Sequence, residues 1–270
     1  MQLAYSERHA FPDGNRPHSG NPAGVVRLVE PLDDGDLLGL AQSNNLSETA
    51  YLLAGDEVDL WSLRWFTPAL EVDLCGHATL AAAAVLFDAG GVQGDRARFD
   101  TRSGRLTVHK TGDGQLAMDF PEVPAKPGQA DPAALRAVGA DPEHVFEIEP
   151  IHGSRYQMFV YGDEAQVAGL SPDFAALARA RVNVLATAKG TSADFVSRFF
   201  CPDAGINEDP VTGSAHCTLA PYWADRLGEN RLSARQIGPR SGALSVEIDQ
   251  PGRVRIIGTA RAYLDGVITI

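Results

Sequence analysis

The spacing of hydrophobic positions changes several times along this chain, and each change predicts a new element. Residues 3–11 and 24–29 read as strands on either side of a Gly/Pro-rich turn at 12–23. Residues 32–45 set Leu37, Leu38, Leu40 and Ala41 behind Asp33, Asp34 and Asp36, which suits a helix with an acidic first turn. Strands follow at 48–55 and 60–66. Residues 77–88, HATLAAAAVLFD, show no polar stripe before Asp88, and Gly90-Gly91 stops the run. A helix apolar on every face belongs inside. Further strands are expected over 97–110 and, from the alternation of Leu116, Met118 and Phe120, over 115–120. The Pro-rich stretch 121–132 reads as a linker. Beyond it come a helix at 134–139, strand-like segments over 144–161, a helix at 172–180 and a strand at 182–188. The segment DFVSRFF, a helix at 214–227 and three strands at 243–248, 253–264 and 266–270 close the chain.

Part of this pattern occurs twice. RWFTPALEVDLCGHATLAAA (64–83) and SRFFCPDAGINEDPVTGSAHCTLA (197–220) share an Arg-aromatic-Phe-x-Pro start, acidic residues, and a Gly that opens an Ala-containing apolar run. Arg64 and Arg198 lie 134 positions apart in 270 residues, and the Gly20-Asn21 and Gly153-Ser154 turns lie 133 apart. Two landmarks at nearly one period imply a duplicated fold. The expected halves are residues 1–120, with Glu48 and the Gly76-His77 helix, and 121–270, with Asp209 and the Gly213-Ser214 helix. The last strand is free to pack back on the first half.

Composition narrows the setting. The apolar share of 44% and charged share of 21% suit a globular domain. Three cysteines without CxxC spacing argue against a disulfide framework and for a reducing compartment. The start lacks a signal-peptide layout, and no apolar run approaches the roughly 20 residues a bilayer requires. A net charge of −12 without a basic cluster speaks against nucleic-acid or anionic-membrane partners. The seven histidines are scattered without metal-ligand spacing, and no phosphate-cradling glycine loop occurs, so neither metal nor nucleotide cofactor is expected. The expectation is a soluble cytoplasmic protein.

Each repeated helix should begin at a Gly-His or Gly-Ser step, where backbone N–H groups lack intrahelical partners and the dipole favours anions. Two such ends in one cleft would suit a small acid bearing carboxylates. Gly76 and Gly213 could equally serve only to turn a strand into a buried helix. Glu48 in NNLSETAYL could be a base or a solvated residue beside a cap at Ser47. Cys75 and His77 flank Gly76, and Asp209 could cap a turn before Pro210. Singly these signals are unspecific; their matched placement in a repeat is stronger.

SGNPAGVV, NNLSETAYL, LRWFTPALEVDLCGHATLAAA and EDPVTGSAHCTLAPYW together resemble the PhzF (phenazine-biosynthesis protein) family, in the superfamily of diaminopimelate epimerase and proline racemase. The resemblance covers nearly the whole chain. It implies an α+β fold, diaminopimelate epimerase-like, with two pseudo-symmetric halves, each a mixed curled sheet or barrel around a central helix, and a homodimer. By motif, Glu48, His77 and Asp209 match catalytic positions, and Gly76, Gly213, Ser214 and Ser47 match substrate-binding ones. Cys75 and Thr212 are further possible site residues.

Two departures refine the expected chemistry. Superfamily epimerases use two facing cysteines; here Cys75 holds the first position, but Thr212-Gly213-Ser214 stands at the second, and threonine is no base near neutral pH. One-base proton transfer through Glu48, on a small carboxylate-bearing metabolite and without a cofactor, is therefore favoured. The family usually has Asp before Ala-Phe, where this chain has His9, and the loop PDGNRPHSG is longer than usual. Alternatives are a dehydratase or lyase on the same scaffold, or a non-catalytic ligand-binding or interaction protein.

Overall fold

A computed structural model describes residues 1–151 and 154–270. The chain divides into two compact units, Met1–Asp119 together with Ile257–Ile270, and Phe120–Ile256. The first unit begins with β1 (Gln2–Ala10), β2 (Asn21–Leu28), α1 (Asp34–Asn44), β3 (Glu48–Ala54) and β4 (Leu60–Phe66). It continues through β5 (Glu71–Val72), α2 (Gly76–Asp88), β6 (Arg96–Thr101), β7 (Gly104–Lys110) and β8 (Leu116–Pro121). The second holds β9 (Ala125–Pro127), α3 (Pro132–Val138), β10 (His144–Ile151), β11 (Ser154–Val160), α4 (Glu164–Gly169), α5 (Phe174–Ala180) and β12 (Val182–Lys189). After these come β13 (Phe195–Cys201), β14 (Ile206–Asp209), α6 (His216–Leu227), β15 (Arg231–Gln236), β16 (Gly242–Glu247) and β17 (Arg253–Gly258). The last strand, β18 (Ala260–Thr269), belongs to the first unit and runs antiparallel to β1.

The two units are wired alike. In the first, β1 is antiparallel to β2, β2 parallel to β3, and β3 antiparallel to β4; β4 then pairs antiparallel with β5 and parallel with β6, which hairpins into β7. In the second, β10 is antiparallel to β11, β11 parallel to β12, and β12 antiparallel to β13. There β13 pairs antiparallel with β14 and parallel with β15, which hairpins into β16. The helix inserted between the short antiparallel strand and the next parallel one is α2 in the first unit and α6 in the second. This is the α+β, diaminopimelate epimerase-like architecture, built on a mixed sheet rather than a closed barrel. Gly153, of the second expected turn, lies outside the described residues. Gly20 of the first sits at φ +84°, where a Cβ would come within 2.7 Å of the Ala10 carbonyl oxygen, so only glycine fits.

The all-apolar stretch forms α2, and ten of its 13 residues are buried. It packs against β1, β2, β3, β6, β7 and β18, as a helix without a polar stripe must. By contrast α6 is buried all round through its first five residues, His216–Ala220, and thereafter only at Trp223, with Asp225 and Arg226 exposed. In the second unit Phe159, Val182, Val184, Val196 and Phe200 form a core with residues of α3 and α5.

Several expectations change. The supposed linker contains β9, whose residues pair with Phe146–Ile148, so 121–132 is partly sheet. The short α4, β5 and β14 carry too few residues to show a period. In β15 the inward positions are Leu232, Ala234 and Gln236, and the inward glutamine hides the alternation. The expected strand at 253–264 breaks at Gly258-Thr259. There a Cβ on Gly258 would lie 2.4 Å from the Phe11 ring, and the Phe11 N–H donates to the Thr259 carbonyl at 2.8 Å. Helix α6 starts at His216 instead of residue 214, led in by a tight turn in which His216 N–H bonds the Gly213 carbonyl at 3.0 Å. All three cysteines are buried, and none is paired in a disulfide. Among the described residues no helix is long and apolar enough to cross a membrane.

Candidate active site

Four side chains of the first unit meet because of where their elements begin. Glu48 is the first residue of β3 and Asn21 the first of β2, and the parallel pairing of these strands sets their starts side by side, with Glu48 opposite Ala23. Cys75 is the extended N-cap of α2 and His77 its second residue. Its side chain makes no capping bond, but Thr79 returns its hydroxyl to the Cys75 carbonyl at 2.6 Å and closes the first turn.

His77 is the hub. Its Nδ1 lies 3.3 Å from the Asn21 amide nitrogen and 3.5 Å from Cys75 Sγ, and its Nε2 lies 3.1 Å from Glu48 Oε2. The last approach is an ion-pair distance, too bent for a regular hydrogen bond, so both atoms keep bonding capacity unspent. The Glu48 side chain is 13% exposed and that of His77 7%; at such burial a charge interaction is screened far less than at the surface. Burial by itself would depress the His77 imidazole, but its contacts with Cys75 and Glu48 lift it well above its ordinary range. Cys75 is pushed up in its turn, first by burial and then by the Glu48 carboxylate, so it stays a neutral thiol at neutral pH. Ser47 sits in the bend just before β3, half-buried, and Gly76 opens α2.

The second unit carries its own polar cluster. Asp209 ends β14, buried, and accepts a hydrogen bond from the Thr212 hydroxyl. Gln236, fully buried at the end of β15, ties the same loop from below. Its amide oxygen accepts from the Thr212 N–H at 2.8 Å, and its amide nitrogen donates to the Asp209 carbonyl at 2.5 Å and approaches the Thr212 hydroxyl at 3.2 Å. Thr212 thus spends its hydroxyl proton holding a carboxylate. Gly213 and Ser214 form the turn that leads into α6. His216 Nδ1 lies 2.9 Å from the Thr212 carbonyl, and burial pushes this imidazole down to about 4 against the pull of that bond; it is neutral at physiological pH.

The repeated arginines each clamp a glutamate. Arg64 grips Glu71 with two 2.7 Å bonds, and Arg198 grips Glu208, next to Asp209, with two more at 2.7 Å. Arg198 also donates to the Leu170 carbonyl at 2.6 Å, beyond the end of α4. Of the expected site residues, the structure brings Glu48, Cys75 and His77 together in one unit and Asp209 and Thr212 together in the other. Asn21, Gln236 and the two arginine–glutamate clamps are additions. Asn21 had a signal, since it follows a left-handed glycine and begins a strand; Gln236 had none, because its partners are 24 and 27 residues away.

Comparisons with known proteins show the family to which the chain belongs. A family model described as phenazine biosynthesis-like protein matches residues 9–266. An uncharacterized isomerase of Pseudomonas aeruginosa is 46% identical over 269 residues, 99% of each chain. A PhzF-family crystal structure from Enterococcus faecalis superposes with a TM-score of 0.91 at 40% identity, covering 100% of both chains. A hydroxyproline epimerase from Agrobacterium vitis, 12% identical and covering 99% of this chain and 92% of its own, has a TM-score of 0.60 and shares the fold.

Proposed function

Because the chain belongs to the phenazine biosynthesis-like family, we propose that it is an isomerase that moves a proton on a small carboxylate-bearing metabolite, without a cofactor, using Glu48 as its single base. The observation that carries this is the Glu48–His77 pair, a partly accessible carboxylate at the head of a strand held 3.1 Å from an imidazole. Glu48 removes a proton from a carbon activated by a neighbouring carboxylate or alkene and returns it to another carbon on the same face. His77, with its pKa raised, holds one Glu48 oxygen and leaves the other for the substrate proton. Positioned acid–base catalysis of this kind is worth on the order of 10²–10⁴ in rate. The free N–H groups at the start of α2, beginning with Gly76, favour charge that develops on the substrate. Asp209, Gly213, Ser214 and Ser47 are assigned to binding substrate oxygens, with Thr212 fixing the Asp209 carboxylate.

Cys75 is poorly suited as the base. Burial and the Glu48 charge keep it protonated, and no cysteine stands at position 212 for an inversion between two thiols. Once proton–deuterium exchange into a carboxylate metabolite is found in heavy water, Glu48→Gln should cut its rate by about two to four powers of ten. Cys75→Ser should keep most of it. Loss of exchange in Cys75→Ser with retention in Glu48→Gln would reverse the roles. Expulsion of a leaving group during exchange would instead identify a lyase or dehydratase.

A further inference from the structure

Glu48, Cys75 and His77 bring a carboxylate oxygen, a sulfur and an imidazole nitrogen within 4.8 Å of one another. We propose that this trio captures a borderline-soft divalent cation, Zn²⁺ above all, and that the captured ion switches the proton-transfer site off. Three protein donors of these types with a fourth position open form the donor set of an open zinc site. Zinc bonds of about 2.0–2.3 Å at tetrahedral angles set ligand atoms roughly 3.5 Å apart. No separation in the trio exceeds 4.8 Å, so closure asks for about an ångström of side-chain movement.

The donors stand on fixed ground. Glu48 heads a strand locked in parallel register with β2, and Cys75 and His77 flank the first residue of a helix that is buried along most of its length. The Asn21 side chain lies against the ring, its amide nitrogen 3.3 Å from Nδ1. Charge points the same way. On capture, Zn–S and Zn–N bonds form, the Cys75 S–H bond and the N–H bond at the ligating His77 nitrogen break, and both protons leave to solvent. Thiolate, carboxylate and Zn²⁺ then sum to zero around a neutral imidazole, which a buried site tolerates far better than two unpaired anions. No electron changes hands. The inhibition rests on Glu48 being the base; the binding does not.

Equilibrium dialysis of the metal-stripped full-length protein against Zn²⁺ should find one tight equivalent. Co²⁺ as a probe should give the intense near-ultraviolet thiolate-to-cobalt band. Cys75→Ser should abolish that band, and Cys75→Ser, His77→Asn and Glu48→Gln should each weaken Zn²⁺ binding on the order of tenfold or more. Melting curves of the metal-free variants separate a lost ligand from a lost fold, and the cobalt spectrum of the unaltered protein needs no variant at all. Proton exchange should stop at one equivalent of Zn²⁺ and return with a chelator. Absence of a tight equivalent, a cobalt spectrum without the sulfur band, or exchange indifferent to bound Zn²⁺ would overturn the proposal. A metal that binds with the sulfur band, in a protein exchanging no carboxylate substrate, would sink the Glu48 reading and leave the cation site standing.

Discussion

His216 carries a stability cost that acid should expose. Its imidazole is buried and its pKa falls from the ordinary 6.5 to about 4, so the unfolded chain binds a proton that the folded one refuses. Stability from this group is therefore complete above pH 6.5 and is lost as pH falls from 6.5 through 4, levelling out below. The full difference is worth roughly 3 kcal/mol. Urea titrations at steps between pH 7 and 4 should show the midpoint dropping in the unaltered protein and dropping less in His216→Phe, which keeps the ring against Phe195. Equal slopes would show that other groups govern acid stability. At this scale Glu48, His77 and Asp209 were legible from motifs. The proton economy around them was not, because it depends on which neighbours share the burial.

At the scale of elements, the Arg-aromatic-Phe repeat acquires a mechanical meaning. Arg64 is the fifth residue of β4 and Arg198 the fourth of β13, and each clamps a glutamate on the short strand that follows, β5 or β14. Each also stacks on the phenylalanine two residues on, Phe66 or Phe200. The Arg198–Glu208 side chains are 8% and 11% exposed, whereas Arg64 is 30% exposed. Removing one partner of a buried pair strands the other charge and costs about 3–5 kcal/mol. Glu208→Gln should approach that range in equilibrium unfolding and loosen the adjacent Asp209, while Glu71→Gln should cost clearly less. The reverse order would mean that the second clamp contributes little. The repeat itself could be read from the sequence; its glutamates could not, because the arginine-to-glutamate spacing is 7 residues in one unit and 10 in the other.

Across the whole molecule, the first unit is discontinuous. It closes only when the last strand pairs with the first, Gln2 opposite Thr269 through Ala10 opposite Ala260. That pairing joins residues more than 200 positions apart, and closing so long a loop delays the contacts that reward it. A chain ending at Thr259 would leave one edge of β1 unpaired and one side of α2 without its cover. It should aggregate or show lost protection of β1 amides in hydrogen exchange, with β11–β13 in the second unit still protected. Unchanged β1 protection would show that β18 is dispensable.

What the sequence determined by itself was whatever depends on neighbours a few positions apart. The apolar run of α2, the acidic start of α1, the alternation in β8 and the glycine turn before Asn21 each follow from local sterics and local burial. The family motifs added Glu48, His77 and Asp209, because those residues travel with their immediate surroundings. Tertiary structure alone decided the rest. It made β9 of a supposed linker, since an edge was available on β10. It split β17 from β18 where Phe11 fills the space over Gly258, and it recruited Gln236 to hold Asp209 and Thr212. It also set Glu48, Cys75 and His77 within reach of one another. These outcomes are contacts between residues distant along the chain, and their energies are defined only once folding has chosen which surfaces meet.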